Sequence, residues 1–392
     1  MSNSTQQNGS ITSQTLLDSP RRWHLAVPLK VAEGFGERFQ PTGFPNLGAA
    51  LYKASNYTKD KDGKITGETV SDFLLTESAQ SLANWMEHLC LDPQNPCRYN
   101  SDCSGIPYVI VQETVNGDTD TDLTSSLTEP HRLASDEILG ATSNGSTFAT
   151  VLTQLLGVNK QRPVHLPRIA KRLFYIDPAC LLHGIFLEKL DGRIRFSRLL
   201  SATITAKHPA PVNAGGVMRG YITIEGKEAS IPYGTQHFTS PEITLHLTFH
   251  TDSLRDLGLD PNENHFLAAF ALYKINKLLR SFPRLRTACV FDSDSQQNNE
   301  ANLPAAIQTA FTTERRNTAL GVANTNLPRP LTPGQSQEQA RQSEQPPNES
   351  QQPRGFTPFV IVHSSPAAQQ APAQAQPAGQ ATDDQQGSSL GT

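Results

Sequence analysis

Hydrophobic and polar positions first alternate at Trp23, Leu25, Val27, Leu29 and Val31, with His24, Ala26, Pro28 and Lys30 between them. A period of two is that of a half-buried strand. Pro28 cannot donate to a ladder, so the strand should lie at an edge or carry a bulge there. The period changes at Leu82, Trp85, Met86 and Leu89, whose i, i+3, i+4, i+7 spacing predicts a helix with one apolar stripe. Ser78, Gln80, Ser81 and Asn84 make its polar flank. Residues 107–112 read as a short strand, and the acidic, Thr-rich stretch holding Glu113, Asp118, Asp120 and Asp122 reads as a solvated loop. A second helix carries Phe148, Val151, Leu152 and Leu155, opened by Ser146 or Thr147 and closed by Gly157.

Residues 181–187 are nearly all apolar, which predicts a buried central strand. Ile243, Leu245, Leu247 and Phe249 alternate with Thr244, His246 and Thr248, the clearest strand pattern in the chain. Asp260, Pro261 and Glu263 supply an N-cap, a first-turn proline and a capping-box acid. The helix they open carries Phe266, Phe270 and Tyr273 on one face and ends near Arg280; residues 286–291 form a following strand. Strand, helix, strand, then strand, helix, strand is the order of a ferredoxin-like α+β fold with insertions. Periodicity alone does not separate it from another α+β topology.

Beyond residue 331 the pattern ends. Fourteen Gln and eight Pro occur in the last 62 residues, too little apolar surface to offset the entropy of ordering. An apolar island at 356–362 is the exception: a docking strand, a partner motif, or chance. The organisation expected is a flexible arm (1–20), a body with insertions (21–300), a C-terminal extension (301–330) and a disordered Gln/Pro-rich tail (331–392).

Composition narrows the class without choosing a function. The chain has 392 residues, 36% hydrophobic and 18% charged, as ordinary globular proteins do. Without the tail it holds 31 basic and 32 acidic side chains. So balanced a body excludes a non-specific polyanion binder; any nucleic-acid contact must come from local patches. No run approaches the ~18 apolar residues of a membrane span. The polar N-terminus lacks the features of a secretory signal, and five scattered cysteines are no disulfide framework, so a cytoplasmic setting is expected.

Candidate chemistry gathers in a few segments. Residues 37–52 set Phe39, Phe44, prolines and glycines around Arg38, Gln40 and Thr42. Aromatic faces beside guanidinium and amide donors suit a single-stranded nucleic acid, although the phenylalanines would equally anchor the loop to the core. Lys160, Arg162, Arg168, Lys171 and Arg172 occur without an intervening acid, and Arg193, Arg195 and Arg198 form a second basic stretch; phosphates need such donors, and a solvated face is the plain alternative. His131 and His183 invite a general acid–base reading, but His183 falls in an apolar run that suits a core histidine. His88, Cys90, Cys97 and Cys103 lack the paired Cys-x2-Cys spacing of zinc knuckles, so no metal is assigned. No nucleotide-binding loop, zinc hydrolase or serine-elbow motif is present.

Residues 37–52 resemble the signature of the backbone subunit of type I-G (formerly I-U) CRISPR Cascade complexes, the seventh Cas protein family within the repeat-associated (RAMP) superfamily. Residues 75–87, 131–135, and 177–187 with 198–206 and 215–217 are similar to the same family in the same order, so the likeness spans about residues 23–290. It implies an RNA-recognition-type palm with inserted finger and thumb regions. It also implies a protein without enzymatic activity or cofactor that holds the crRNA spacer and presents it to target DNA, copies stacking head to tail. Other implied partners are the guide-processing and capping subunit, a large subunit and a helicase-nuclease. On this resemblance the RNA-binding residues are Arg38, Gln40, Thr42, Ser78, Gln80, Asn84, His131, Arg132, Lys160, Arg162, Arg168, Lys171, Arg172, Arg195 and Arg198, with Arg38 and Arg132 foremost. Two other readings stay open: an RNA-cutting member of the superfamily, and an interaction protein that binds no nucleic acid.

Overall fold

The alternation that begins at Trp23 becomes strand β1 (Trp23–Val31), with Val27, Leu29 and Val31 buried and the residues between them exposed. The computed structural model describes residues 11–320 and 359–363, apart from 35, 45–47, 116–118, 144–145, 213–219, 225–226, 232–236, 282–284, 286–288, 292–298 and 301–302. After β1 the principal elements are β2 (Leu51–Lys59), β3 (Ile65–Glu77), α1 (Ala79–His88), β4 (Val109–Val115), β5 (Thr119–Ser125), α2 (Phe148–Leu156), α3 (Leu166–Ile176) and α4 (Ala179–His183). They continue with β6 (Leu200–Lys207), β7 (Glu242–Phe249), α5 (Pro261–Ser281), β8 (Cys289–Phe291), α6 (Leu303–Ala310), α7 (Thr313–Leu320) and β9 (Phe359–His363).

The main sheet runs β8-β1-β7-β6-β3-β2, every pairing antiparallel. Its first four strands have the order of a ferredoxin-like sheet, with the fourth strand beside the first and the third between the first and second. The fold is α+β, of ferredoxin-like type, and the β2–β3 hairpin is appended at the β6 edge. Register keeps one face apolar: Ile204 of β6 opposes Leu245 of β7, which opposes Val27 of β1. A slip of one residue would turn that set to solvent.

Helix α5 is the centre of the second layer. All ten residues from Phe266 to Ile275 are buried, so the helix is walled in by its neighbours on every side, Lys274 included. Its predicted cap is present: Asp260 Oδ1 accepts from Glu263 N at 3.2 Å, and Glu263 Oε2 accepts from Asp260 N at 2.9 Å. Helix α1 packs on β6 and against α5. Its expected stripe is in place, with Leu82 and Met86 fully buried. Helix α2 is capped by Thr147 and closed by Gly157 at φ 63, as the sequence reads. A Cβ at Gly157 would lie 2.5 Å from Arg172 Nη1, so glycine serves both turn and packing.

Two expectations are revised. Residues 181–187 are not a strand: helix α4 ends at His183, Gly184 turns the chain at φ 80, and only Ile185–Phe186 pairs, with Arg195–Phe196. The acidic stretch is not a loop throughout, because β5 returns along β4, and Asp122 there accepts from Arg98, Asn95 and Gln112. In the apolar island of the tail, Phe359–His363 forms β9, parallel to β4, which is the docking strand among the readings open for it. At Pro28, β7 pairs along one side of β1; on the other, β8 pairs with Leu29, Lys30 and Val31, and the residue next in register, opposite Pro28, lies outside the described residues. Gly215 and Gly216 lie outside the described residues. No helix among the described residues is long and apolar enough to cross a membrane.

Candidate nucleic-acid interface

A groove of about 1150 Å³ opens where the start of α1, the end of α4, the turn 129–137 and the hairpin 184–198 meet. Gln80, His131, Arg132, Arg195 and Arg198 line it, so five of the expected residues from separate segments of the chain converge there. Gly184 lets the walls approach. A Cβ on it would meet Phe196 O at 3.0 Å and Arg198 Cγ at 3.1 Å, and its φ of 80 strains any other residue.

Arg198 is the best placed of the five. Its Nε donates to His183 O at 3.0 Å, and one terminal nitrogen donates to Gln80 Oε1. A guanidinium oriented by two neutral oxygens keeps its full charge for an anion. Burial lowers its pKa, and Arg132 nearby does the same, yet arginine stays protonated at any physiological pH. Arg195 is exposed on the facing strand and has no carboxylate partner among the described residues.

Arg132 has another occupation. Its Nε and a terminal nitrogen grip the Glu87 carboxylate at 2.7 and 2.6 Å, and the residue is only 6% exposed. Burial opposes its charge, but Glu87 outweighs burial and carries the pKa above its usual value. Its backbone sits at φ 53, a left-handed conformation rare for arginine. Removing one partner of so buried a pair costs about 3–5 kcal/mol, so Arg132 first ties α1 to the 131–134 turn. Lys189 at the rim is likewise paired, with Asp136. His131 stands exposed at the groove mouth.

The remaining expected residues divide by occupation. Arg38 is exposed and Gln40 half-buried; between them buried Phe39 anchors the loop through backbone hydrogen bonds to Phe238 of 2.9 and 3.0 Å. Thr42 Oγ1 donates to Thr76 O at 3.0 Å, two residues before Ser78, and Ser78 Oγ accepts from Ser81 N at 3.2 Å as the α1 cap. The loop is thereby laid beside the helix end that brings Gln80 to the groove; Asn84 is exposed one turn further along α1. Lys160, Arg162 and Arg168 are not drawn into the groove, and Lys160 and Arg162 are exposed. Lys171, however, reaches Glu263 at 3.0 Å and Asp260 at 3.2 Å, and Arg172 donates to Leu155 O at 2.8 Å. Those two cations clamp α3 to α5 and α2.

Ser197, Ser201 and His250 line the groove without having been expected there, whereas Arg193 of the second basic stretch is not among its lining residues and is paired with Asp191. Arg193 donates to the carbonyls of Arg162 and Lys160 at 3.1 and 3.3 Å and so joins the first basic stretch to the second. His250 follows β7 and lines the groove; nothing in its local sequence marks it, since its position depends on the sheet order.

His183, also on the groove wall, is 1% exposed, and Lys274 Nζ lies 3.0 Å from its Nε2. Burial, then Lys274, Arg132 and Arg198, hold its pKa well below the usual value, so the ring is neutral and a poor proton donor. The His88–Cys103 set does not assemble. Cys90 and Cys103 are fully buried, Cys97 belongs to a separate small apolar cluster, and His88 is exposed with Nδ1 3.0 Å from Asn84 O. Among the described residues no three His, Cys, Asp or Glu side chains form a metal-holding group.

Fold and groove together define an α+β protein with a ferredoxin-type sheet and guanidinium groups at one crevice. Residues 24–209 match the model of the family described as CRISPR-associated protein GSU0053. The match spans a little under half of the chain, contains every expected site residue, and indicates a CRISPR-associated (Cas) protein family. No curated protein matches the chain.

Proposed function

We propose that the chain is the repeated backbone subunit of a type I-G Cascade surveillance complex, a non-catalytic protein that holds the crRNA spacer for pairing with target DNA. The observation that carries this reading is Arg198, fixed by the His183 carbonyl and Gln80 in a groove that Arg195 shares, with its charge unspent. Phosphate positions a strand and carries no sequence, so sequence reading belongs to the guide. A buried neutral His183 supports holding over cutting. Copies would repeat head to tail, joined by the capping subunit, the large subunit and the helicase-nuclease.

Arg195→Ala combined with Arg198→Ala tests it. On single-stranded guide RNA the double variant should bind more weakly, and the slope of log K against log salt should shrink by about 0.7 for each phosphate no longer neutralised. An unchanged slope overturns the assignment of this groove. Cleaved RNA in the same mixtures would favour the ribonuclease reading, and wild-type protein that carries no RNA would favour an interaction protein.

A further inference from the structure

Strand β9, which follows α7 in the sequence after residues 321–358, is joined to the body by five residues. Phe359 to His363 pair in parallel with Val109 to Glu113. Ile361 enters the main core at 5% exposure, and Val360 packs over Leu91, Tyr108, Ile110 and Leu127, a small cluster of its own. β4 is therefore paired on both sides, by β5 and β9. Without β9 it would offer an open ladder of N–H and C=O groups, the template on which a foreign strand adds.

We propose that this edge is where copies of the chain are laced together: Phe359–His363 of one copy pairs with Val109–Glu113 of the next. Every hydrogen bond and apolar contact is the same whichever copy supplies the strand, so the tether alone decides between the two arrangements. Thirty-eight residues, 321–358, separate α7 from β9. Such a length reaches at most ~130 Å, whereas a folded body of this size is about 50 Å across. The strand of one copy thus reaches the edge of a touching neighbour. Each exchanged strand ties two copies without new surface, and serial exchange gives an open chain, as a head-to-tail array needs. The array itself rests on the backbone-subunit reading above.

Cysteine pairing in the full-length protein decides the point. Gln112 and Val362 are register partners, with Gln112→Cys and Val362→Cys placing thiols opposite each other. The two single variants, co-produced with guide RNA and oxidised, should give a mixed dimer on a non-reducing gel, and the double variant a ladder of multimers. Wild-type protein under the same oxidant controls for its own cysteines. A double variant that closes only within single chains, or forms no cross-link, overturns the exchange. Absorbance at 260 and 280 nm on the same samples reports bound RNA separately, so failure of the exchange and failure of the RNA-binding reading are distinguishable.

Discussion

Asp177 shows what a single residue costs in the core behind the groove. Its Oδ1 accepts from Ala179 N at 3.0 Å, opening α4, and the side chain is fully buried. Burial, reinforced by Glu87 and opposed by Ser126 and Arg132, pushes its carboxyl up to about 6 from 3.8. Between those values the folded chain holds a proton that the unfolded chain has released. Asp177 therefore withdraws stability as pH rises from about 4 to 6, by about 3 kcal/mol once fully ionised. Asp177→Asn keeps the helix-opening acceptor without the charge. Thermal melts between pH 5 and 7.5 should show the variant gaining on wild type as pH rises; a constant difference would place the carboxyl at an ordinary value. Such pairings were hidden from sequence for a plain reason. The His131-Arg132 motif marks the right place, but Glu87, which occupies the guanidinium, lies 45 positions earlier and only the fold joins them. Arg198, by contrast, could be read as a phosphate donor because its partners are neutral.

Elements were more legible where caps and periodicity agreed. For α2 and α5, stripe and cap name the same helix, and the structure keeps them; α1 was marked by its stripe alone. Residues 181–187 failed because a short apolar run fits a buried helix as well as a buried strand, and the helix ends at His183 and Gly184 inside that run, with the chain turning at Gly184. The β2–β3 hairpin presents the opposite problem. Leu51, Tyr57, Ile65 and Val70 are all at least half exposed on an arm that extends from the sheet edge. A monomer gains nothing from so apolar a surface, whereas a neighbouring copy would cover it. Replacing Tyr57, Ile65 and Val70 by serine should leave the melting temperature within a few degrees of wild type while reducing the mass of RNA-bound assemblies in sedimentation. A large fall in melting temperature instead would make the arm part of this chain's own fold.

At the scale of the whole molecule, the balance of charge limits how the protein can hold a polyanion. Nine of the expected RNA-binding residues are Lys or Arg, but Lys171 and Arg132 are bound to carboxylates. Arg38, Lys160, Arg162, Arg168, Arg172, Arg195 and Arg198 have no carboxylate partner among the described residues. Each phosphate neutralised on a single strand steepens log K against log salt by about 0.7, so these seven cations allow a slope no steeper than about −5 per copy, against about −6 if all nine engaged. On the proposed reading, non-electrostatic contacts would supply the rest, from Gln80, Asn84 and Gln40 on bases or sugars and from contacts between copies. Titration of guide RNA from about 50 to 300 mM salt, normalised to copies bound, measures the slope directly. A value near −6 would mean that the Lys171 and Arg132 ion pairs open on binding, and that RNA rearranges the core rather than resting in a finished groove.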